Sequence, residues 1–452
     1  MSPTVRLTDA ARDGSAGIDL LVTNIGQLCT LDVPAADARG PRRRADMGLL
    51  GEVPDAALAV ADGRVAGHGP EADLCAALWP DGKRPAGVTV IDAGGRAVIP
   101  GFVDPHTHAL WAGDRASEFE LRIAGATYLE IMHAGGGIMN TVRATRAASL
   151  DDLIDETLLR LDMMLMHGTT TAEIKTGYGL DTATELKMLD AIRVLDEQHP
   201  MDLVPTFLGA HAVPAEYTGR TDDYVDLVVN EMLPAIGDLR YIVETPDGEY
   251  NIRAADFCDV FCEVGAFDVA QSRRILEAAK EMGLSLKIHA DEFEPLGGTS
   301  LAVELGAVSA DHLVCTTDEQ LQALAASDTI AVSLPGTPFG LAHSHYTNAR
   351  RLIDLGGALA LASDLNPGTS WCESMQFIIA LACRALKLTP AEAINAATIN
   401  AAYALSLGEY LGSLEVGKQA DIIVLDIPDY RHLGYRYGTN LVETVVKRGQ
   451  VV

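Results

Sequence analysis

The sequence predicts a (β/α)8 barrel, or TIM barrel, with a small β-sandwich domain built from both chain ends. Between residues 95 and 405, apolar β-branched runs alternate with segments of helical periodicity, which is typical of βα units around a parallel sheet. This stretch of roughly 300 residues is long enough for eight such units with insertions. The two ends instead carry short β-like runs separated by turn residues. An open, doubly wound sheet is the alternative for the alternating region.

The small domain is predicted to combine residues 1–94 with residues 406–452. Its β-like runs are Asp19–Asn24, Leu58–Val60, Arg64–Ala66, Val88–Asp92 and, near the C-terminus, segments within 412–426 and 442–452. Residues 34–54 contain the run Arg-Gly-Pro-Arg-Arg-Arg, and we interpret them as an exposed loop inserted in this sheet.

The barrel, predicted for residues 95–405, opens with the apolar run Val98–Asp104. Six helix-to-strand units follow it. The predicted pairs are Leu150–His167 with Thr169–Ile174, Asp181–Gln198 with Leu203–Leu208, Ser272–Met282 with Ser285–His289, Thr299–Leu305 with Ser309–Leu313, Glu319–Ala325 with Ile330–Leu334, and Thr347–Asp354 with Ala358–Ala362. The strand count therefore approaches eight.

The composition restricts the partners of the chain. Its 452 residues carry a formal net charge of −29, which repels phosphate backbones and anionic membrane surfaces. The seven cysteines include no Cys-x-x-Cys pair, and Cys258 and Cys262 lie in an apolar run typical of a core. No signal-peptide pattern or membrane-spanning run is present. We therefore expect a cytoplasmic protein that acts on a small molecule, and an anionic substrate would require a local arginine.

Two histidines follow the first predicted barrel strand. Because successive side chains of a strand point to opposite faces, His106 and His108 share a face while Thr107 points away. Two imidazoles on one face can bind one metal ion. A pair of surface histidines is the alternative if this motif is taken alone.

Further polar residues follow later strands: His211, His289, Glu292, His312 and Asp364. Active sites of (β/α)8 barrels lie at the carboxyl ends of the strands, so these side chains are candidates for one site. His106, His108, a later histidine and Asp364 would form a shell that suits Zn²⁺, although iron or manganese could also occupy it.

A bound cation lowers the pKa of its water towards ~7. Glu292, His312 and Asp364 are the candidates for moving the proton of that water. Strand alternation places His289 and Asp291 on one face, so Glu292 reaches the site only if the strand ends before it.

Longer blocks of sequence resemble the imidazolonepropionase family of the amidohydrolase superfamily. They include Pro-Gly-Phe-Val-Asp-Pro-His-Thr-His at 100–108, Ala-Gly-Asp-Arg at 112–115, Gly-Ala-Thr-Tyr-Leu-Glu-Ile at 125–131, Lys-Thr-Gly-Tyr-Gly-Leu at 175–180, Leu-Gly-Ala-His-Ala-Val-Pro at 208–214, His-Ala-Asp-Glu at 289–292, Ser-Ala-Asp-His at 309–312 and Ser-Asp-Leu-Asn-Pro-Gly-Thr-Ser at 363–370. The resemblance spans the predicted barrel and both parts of the small domain.

The resemblance implies ring-opening hydrolysis of 4-imidazolone-5-propanoate to N-formimino-L-glutamate, in histidine degradation, by a homodimer with one metal ion per chain. The implied metal ligands are His106, His108, His289 and Asp364. The implied substrate contacts are Arg115, Tyr128, Tyr178, His211, Glu292, Asn366, Gly368 and Thr369. The implied catalytic residues are Glu292, His312 and Asp364.

These roles agree with the chemistry of the substrate. The guanidinium of Arg115 can bind both oxygens of a propanoate carboxylate, and tyrosine hydroxyls complete such a pocket. Glu292 can accept a hydrogen bond from the imidazolone ring, and we expect His211 to donate one. Another cyclic amidohydrolase or a deaminase is the nearest alternative, and a non-catalytic scaffold on the same barrel is a second. Arg115 with Tyr178 favours a carboxylate-bearing substrate.

Three other features invite a functional interpretation. Lys175 is comparable to the carbamylated lysine of two-metal relatives, but the resemblance implies that it is not a ligand here. His343 and His345 repeat the His-x-His spacing without a preceding strand, which favours a solvated or pocket-edge loop over a second metal site. Gly135–Gly137 lacks the Gly-Lys-Ser/Thr ending of a phosphate-binding loop, so we predict a loop near the pocket.

Overall fold

The computed structural model describes residues 4–14, 16–33, 40–125, 136–245 and 248–452. The strands, in chain order, are β1 Arg6–Leu7, β2 Leu20–Cys29, β3 Glu52–Ala61, β4 Arg64–Pro70, β5 Thr89–Asp92, β6 Ala97–Pro100, β7 Phe102–Asp104, β8 Thr169–Lys175, β9 Asp202–Ala210, β10 Arg240–Thr245, β11 Gly248–Arg253, β12 Phe257–Cys262, β13 Ser285–Ala290, β14 Ser309–His312, β15 Ile330–Ser333, β16 Leu359–Leu361, β17 Ile422–Leu425, β18 Val442–Lys447 and β19 Gln450–Val451.

Eight of these strands form the predicted barrel. They run parallel in the order β7-β8-β9-β12-β13-β14-β15-β16. The barrel is closed just beyond β7 and β16, where Thr107 pairs with Leu365 and the His108 N–H donates to the Leu365 carbonyl at 2.9 Å. This closure confirms the TIM barrel and excludes the open, doubly wound sheet.

Helices connect the strands and cover the barrel. In chain order they are α1 Asp9–Arg12, α2 Glu71–Leu78, α3 Ala116–Ile123, α4 Ile138–Ala147, α5 Leu150–Met166, α6 Thr182–Gln198, α7 Thr221–Leu227, α8 Leu233–Asp238, α9 Val269–Glu281, α10 Gly298–Leu305, α11 Asp318–Ala325, α12 Gly336–Gly340, α13 Ala349–Leu355, α14 Met375–Leu381, α15 Pro390–Ala396, α16 Ile399–Ala404 and α17 Arg431–Tyr435. The six helices predicted between the barrel strands are present with small shifts at their ends. Within the described residues, no helix is both long and apolar enough to span a bilayer.

Both chain ends contribute to a second, nine-stranded sheet. Its order is β1-β4-β3-β2-β6-β17-β18-β19, and β5 pairs with β2. Adjacent residues of β6 face different cores: Val98 packs within this sheet, whereas Ile99 packs into the barrel core. The same alternation in β17 places Val424 in the sheet cluster and Ile423 against the barrel. The predicted domain boundaries at 94/95 and 405/406 stay a prediction.

The predicted strand Val98–Asp104 is in fact two strands that belong to different sheets. β6 pairs with β2 and β17, and β7 pairs with β8 of the barrel. The break falls at Gly101, where a Cβ atom would lie 2.3 Å from the Thr170 hydroxyl oxygen. The two sheets therefore meet at a position where the backbone has no room for a side chain.

Residues 40–54 are not an exposed loop, which corrects the prediction for 34–54; residues 34–39 lie outside the described part. Met47 and Leu50 are buried in the barrel core. The buried Arg42 donates to the Leu31 carbonyl at 2.8 Å, and its backbone N–H donates to the Asn400 side chain at 2.6 Å. The arginine-rich run misleads because two of its arginines, Arg42 and Arg43, donate hydrogen bonds to backbone carbonyls of the fold.

Two strand regions were not predicted. The hairpin β10–β11 has mixed polar and apolar residues without strict alternation. The barrel strand β12 was seen only as an apolar run, but the interpretation of its cysteines is confirmed, because Cys258 and Cys262 are fully buried and free.

We expect Gly101→Ala to destabilise the fold, because the new methyl group must displace the buried Thr170 side chain. Overpacking of this kind typically lowers stability by roughly 1–3 kcal/mol. Thermal unfolding of the metal-loaded protein measures the effect. Gly87→Ala is the control, since nothing lies within 4 Å of its added Cβ. Equal unfolding midpoints for the two variants would refute the close approach.

Candidate active site

Four side chains at the carboxyl ends of the barrel strands converge on one point. His106 and His108 follow β7, His289 lies on β13, and Asp364 follows β16. Asp364 Oδ1 is 3.6 Å from the Nε2 atoms of both His106 and His108, and the Nε2 atoms of His108 and His289 are 3.3 Å apart. All four side chains are buried.

These separations fit a tetrahedral metal shell. With bonds of roughly 2.0–2.1 Å to zinc, neighbouring ligand atoms stand about 3.4 Å apart. His106 Nε2 is buried and has no hydrogen-bond partner among the described residues, which fits a nitrogen that binds a cation. His106, His108 and Asp364 therefore suit a divalent metal ion by donor type and spacing, and His289 adjoins them through His108 Nε2.

Two buried carboxylates orient the imidazoles. Asp311 Oδ2 lies 2.6 Å from His106 Nδ1, and Asp259 Oδ2 lies 2.9 Å from His289 Nδ1. A carboxylate beside Nδ1 favours a proton on that nitrogen, which leaves Nε2 free to bind the metal. Sequence reasoning assigned no role to either aspartate. A single acid within the apolar run Phe257–Cys262 was the available signal for Asp259.

Lys175 is an ion-pair partner and not a ligand. Its Nζ lies 2.8 Å from Asp259 Oδ2 and 2.8 Å from Glu173 Oε2, inside the barrel. Burial opposes the charge, but the carboxylates of Asp259, Glu173 and Asp311 outweigh it and raise the pKa of Lys175. The protonated amine has no lone pair for a metal ion or for carbamylation.

Glu292 reaches the site because β13 ends before it. The strand stops at Ala290, and Asp291 adopts a positive φ of 51°, which turns the chain. The Asp291 carboxylate points away from the site and accepts a hydrogen bond from the Thr299 hydroxyl at 2.6 Å. Glu292 Oε2 then lies 3.7 Å from His312 Nε2.

The environment of Glu292 makes it a candidate proton carrier. Burial raises its pKa well above the ordinary value, and the nearby carboxylates of Asp364 and Glu263 add to the shift. A carboxyl group whose pKa is raised in this way holds a proton more readily than a free carboxyl group, which suits a role in proton transfer.

Tyr178 and His211 lie beside the metal ligands. The His211 ring stacks on His108 with centroids 4.7 Å apart, and the Tyr178 ring lies 5.3 Å from His211. His211 Nδ1 is 3.1 Å from the Gly177 carbonyl, which can only accept a hydrogen bond, so Nδ1 carries the proton.

Because burial lowers the pKa of His211 to about 3, the ring is neutral and its Nε2 is an acceptor. The donor role expected for His211 from the sequence would need a proton on Nε2 and stays a prediction.

The loop after β16 meets Arg115. A Cβ at Gly368 would lie 2.3 Å from Arg115 Nη1, so a larger residue here would displace the end of the Arg115 side chain. Asn366 shapes the loop with its side chain, which accepts from the Gly368 and Thr369 N–H groups at 2.8 Å each and donates to the Asp364 carbonyl at 2.7 Å. Its side-chain amide is thus bound within the loop, and its backbone N–H donates to the Ser370 carbonyl at 3.0 Å, so its backbone carbonyl remains for a ligand.

Arg115 is held in turn by Glu118, whose Oε2 lies 2.8 Å from Arg115 Nε. The same carboxylate oxygen accepts from the Gly137 N–H at 3.1 Å, where α4 begins. Arg115, Gly368, Thr369, Phe339 and Trp371 line one cleft.

The remaining candidate residues stand apart or outside the described part. His343 and His345 are exposed, and neither joins any of the candidate metal groups found among the described residues. Tyr128 and Gly135 lie outside the described residues.

The closed barrel and its buried histidine–aspartate cluster define a metal-dependent amidohydrolase. The amidohydrolase family model matches residues 97–452. Solved structures with the same fold include E. coli guanine deaminase, at a TM-score of 0.69 and 16% identity over 96% of this chain and 99% of that one. A zinc-bound adenosine deaminase from Xanthomonas campestris has a TM-score of 0.66 and 20% identity over 96% of this chain and 92% of that one. At these identities the likeness concerns the fold alone.

Sequence relatives define the family more closely. Imidazolonepropionase from Herpetosiphon aurantiacus is 56% identical over 96% of this chain and 97% of its own length. The enzyme of that name from Symbiobacterium thermophilum is 51% identical with the same coverage. The chain therefore belongs to the imidazolonepropionases, hydrolases of C–N bonds in cyclic amides, and the resemblance found in the sequence is confirmed.

We expect Asp259→Asn to weaken metal binding, because the variant loses the charge that holds His289 and pairs with Lys175. Loss of such a supporting carboxylate typically reduces metal affinity by roughly 10- to 100-fold. Competition with a chelating dye measures the affinity. The control is Asp318→Asn, which removes an exposed carboxylate paired with Arg351. Equal affinity in both variants would contradict the orienting role of Asp259.

Proposed function

We propose that the protein hydrolyses 4-imidazolone-5-propanoate to N-formimino-L-glutamate, a ring opening in histidine degradation. The observation that carries this proposal is the combination, at one end of the barrel, of a cluster suited to a metal ion and a guanidinium suited to a carboxylate. Arg115 lies against Gly368, and Asn366 ties the same loop to the Asp364 backbone. The names of the relatives support this substrate.

We propose one divalent ion per chain, Zn²⁺ in the first place and iron in the second. The ligands would be Nε2 of His106, His108 and His289 together with Oδ1 of Asp364. Such an ion supplies a water molecule that is activated near neutral pH. Asp364 is further held by the Thr337 hydroxyl, which donates to its other oxygen, so the carboxylate has a fixed orientation.

The residues around the ligands would bind the substrate and move protons. The reaction adds water to the ring carbonyl carbon, breaks its bond to a ring nitrogen and delivers a proton to that nitrogen. Glu292 is proposed to carry this proton, with His312 and Asp364 beside it. Arg115 would bind the propanoate carboxylate in a fork.

We propose that the tyrosines, His211 and the loop after β16 make the remaining contacts with the substrate. The hydroxyls of Tyr178 and Tyr128 would complete the carboxylate pocket. His211 would contact the ring, and Asn366, Gly368 and Thr369 would contact the substrate through the loop.

We further propose a cytoplasmic homodimer in which the two chain ends form a separate small domain. All seven cysteines lie in described residues and are free, which is typical of a reducing compartment. The nine-stranded sheet has an apolar cluster of its own, as expected of a domain.

Loss of absorbance from enzymatically generated imidazolonepropionate tests the activity directly. We expect turnover with about one equivalent of Zn²⁺ or iron per chain, measured by elemental analysis of the same preparation. Two equivalents, or full activity without metal, would defeat the single-ion site. Turnover of hydantoins or pyrimidines with no action on imidazolonepropionate would favour another cyclic amidohydrolase or a deaminase.

Arg115→Ala should weaken substrate binding, since a charge pair with the propanoate is lost. Removal of one partner of such a pair typically loses roughly 2–5 kcal/mol, so we expect kcat/KM to fall about 30- to 5,000-fold, mainly through KM. Steady-state kinetics measure the change. Arg220→Ala, which removes an exposed arginine paired with Asp223, is the control. Unchanged kinetics for Arg115→Ala would remove this residue from the pocket.

A further inference from the structure

A buried carboxylate holds the loop that carries Tyr178. Glu185, in the first turn of α6, is fully buried and accepts hydrogen bonds from three backbone N–H groups. The donors are Gly177 at 3.1 Å, Gly179 at 2.9 Å and Leu180 at 2.8 Å. The loop Thr176–Leu180 is therefore wrapped around one side chain.

The conformation of the loop depends on this wrapping. Gly177 has a φ of +105° and Leu180 a φ of +52°, so the backbone turns twice into the left-handed region. A Cβ at Gly179 would lie 2.8 Å from Glu185 Oε1. Arg146 binds the opposite edge and donates to the carbonyls of Gly179 at 2.6 Å and Leu180 at 3.1 Å. Both polar edges of the loop are thus held by charged side chains.

The same loop fixes the protonation pattern of His211. The Gly177 N–H donates to Glu185, whereas the Gly177 carbonyl accepts from His211 Nδ1. A shift of Gly177 would therefore release His211 Nδ1 from the only acceptor that specifies its tautomer in the described structure. Tyr178, the next residue, would move with it.

Glu185 differs from carboxylates that serve stability alone. Among the described residues, no lysine or arginine forms an ion pair with it, although it is fully buried. A buried carboxylate that is hydrogen-bonded only to neutral N–H groups is unfavourable unless these donors are well aligned. Glu392, in contrast, completes a capping box at α15 and pairs with Arg350 at 2.9 Å, a common stabilising arrangement.

We propose that Glu185 is a positioning residue that fixes both Tyr178 and the tautomer of His211, so that the site presents an acceptor Nε2 to an N–H group of the substrate ring. This inference rests on the proposed function. Glu185 touches no substrate and acts through the Thr176–Leu180 loop. The ligand chemistry selected in this way is a ring nitrogen that bears hydrogen, next to a carboxylate arm bound by Arg115.

Glu185→Gln tests the kinetic consequence in the full-length, metal-loaded protein. The amide NH₂ group would face backbone N–H donors, so the loop should shift while the metal ligands stay in place. Misplaced substrate contacts reduce rates by about 10²-fold, and we expect such a fall in kcat/KM with unchanged metal content. Glu392→Gln is the matched control and should lower the unfolding midpoint with kcat/KM preserved. An unchanged kcat/KM for Glu185→Gln would overturn the proposal.

¹⁵N NMR of histidine-labelled, zinc-loaded protein tests the tautomer without substrate. Spectra of the His211→Gln variant assign the His211 signals by difference. We expect a protonated Nδ1 and an unprotonated Nε2 in the natural sequence, and a mixture of tautomers in Glu185→Gln. A protonated Nε2 in the natural sequence, or the same tautomer in both proteins, would overturn the proposal.

A folding defect and a failure of the proposed function can each be told apart from a failure of this proposal. If Glu185→Gln does not fold, Gly179→Ala separates the loop from the first turn of α6, because its Cβ meets both Glu185 Oε1 and the Glu185 backbone nitrogen at 2.8 Å. Failure of the natural protein to hydrolyse imidazolonepropionate would count against the proposed function, whereas the NMR result would still decide the tautomer of His211.

Discussion

The buried ion pairs of Lys175 are the constraint on which the candidate site depends. Metal-binding imidazoles need carboxylates on Nδ1, and Asp259 and Asp311 provide them inside the barrel. Three buried acids, these two and Glu173, would repel one another without a counter-charge. Lys175 contacts all three, at 2.8 Å from Asp259 and Glu173 and 3.9 Å from Asp311, and Lys287 adds a second ammonium 3.2 Å from Glu173. The closed barrel excludes water from this network. Its charged groups are therefore stable only when they are paired with one another.

The site also depends on how the barrel strands end. Asp291, His312 and Asp364 all have positive φ values, of 51°, 77° and 53°. This conformation is unfavourable for residues other than glycine, and it concentrates where packing can enforce it. Its effect is to break the strict alternation of side chains at the point where the strand meets the site. Residues three positions apart, such as His289 and Glu292, can then face the same centre, although a continuing strand would place them on opposite faces.

The sequence indicated the parts of the structure that follow a local period. Three features are local in this sense: the His-x-His spacing of His106 and His108, the strand-to-helix alternation, and the polar residue after each strand. The interior network does not: Asp259 lies in an otherwise apolar run, and nothing local links it to Lys175, 84 positions away. The break at Gly101 and the burial of Arg42 depend equally on contacts between distant segments. These features become visible only once the barrel closes.

In the proposed function, substrate recognition is divided between two loops that approach from different barrel strands. The loop after β16 and the segment after β7 bring Gly368 against Arg115, a fixed positive charge. The loop after β8 brings Tyr178 and, through the Gly177 carbonyl, an acceptor nitrogen of His211. A neutral ring without a carboxylate arm would leave Arg115 without a substrate partner, and a ring without an N–H would leave His211 unsatisfied. Because buried polar groups without partners are costly, such a division would select against both kinds of ligand.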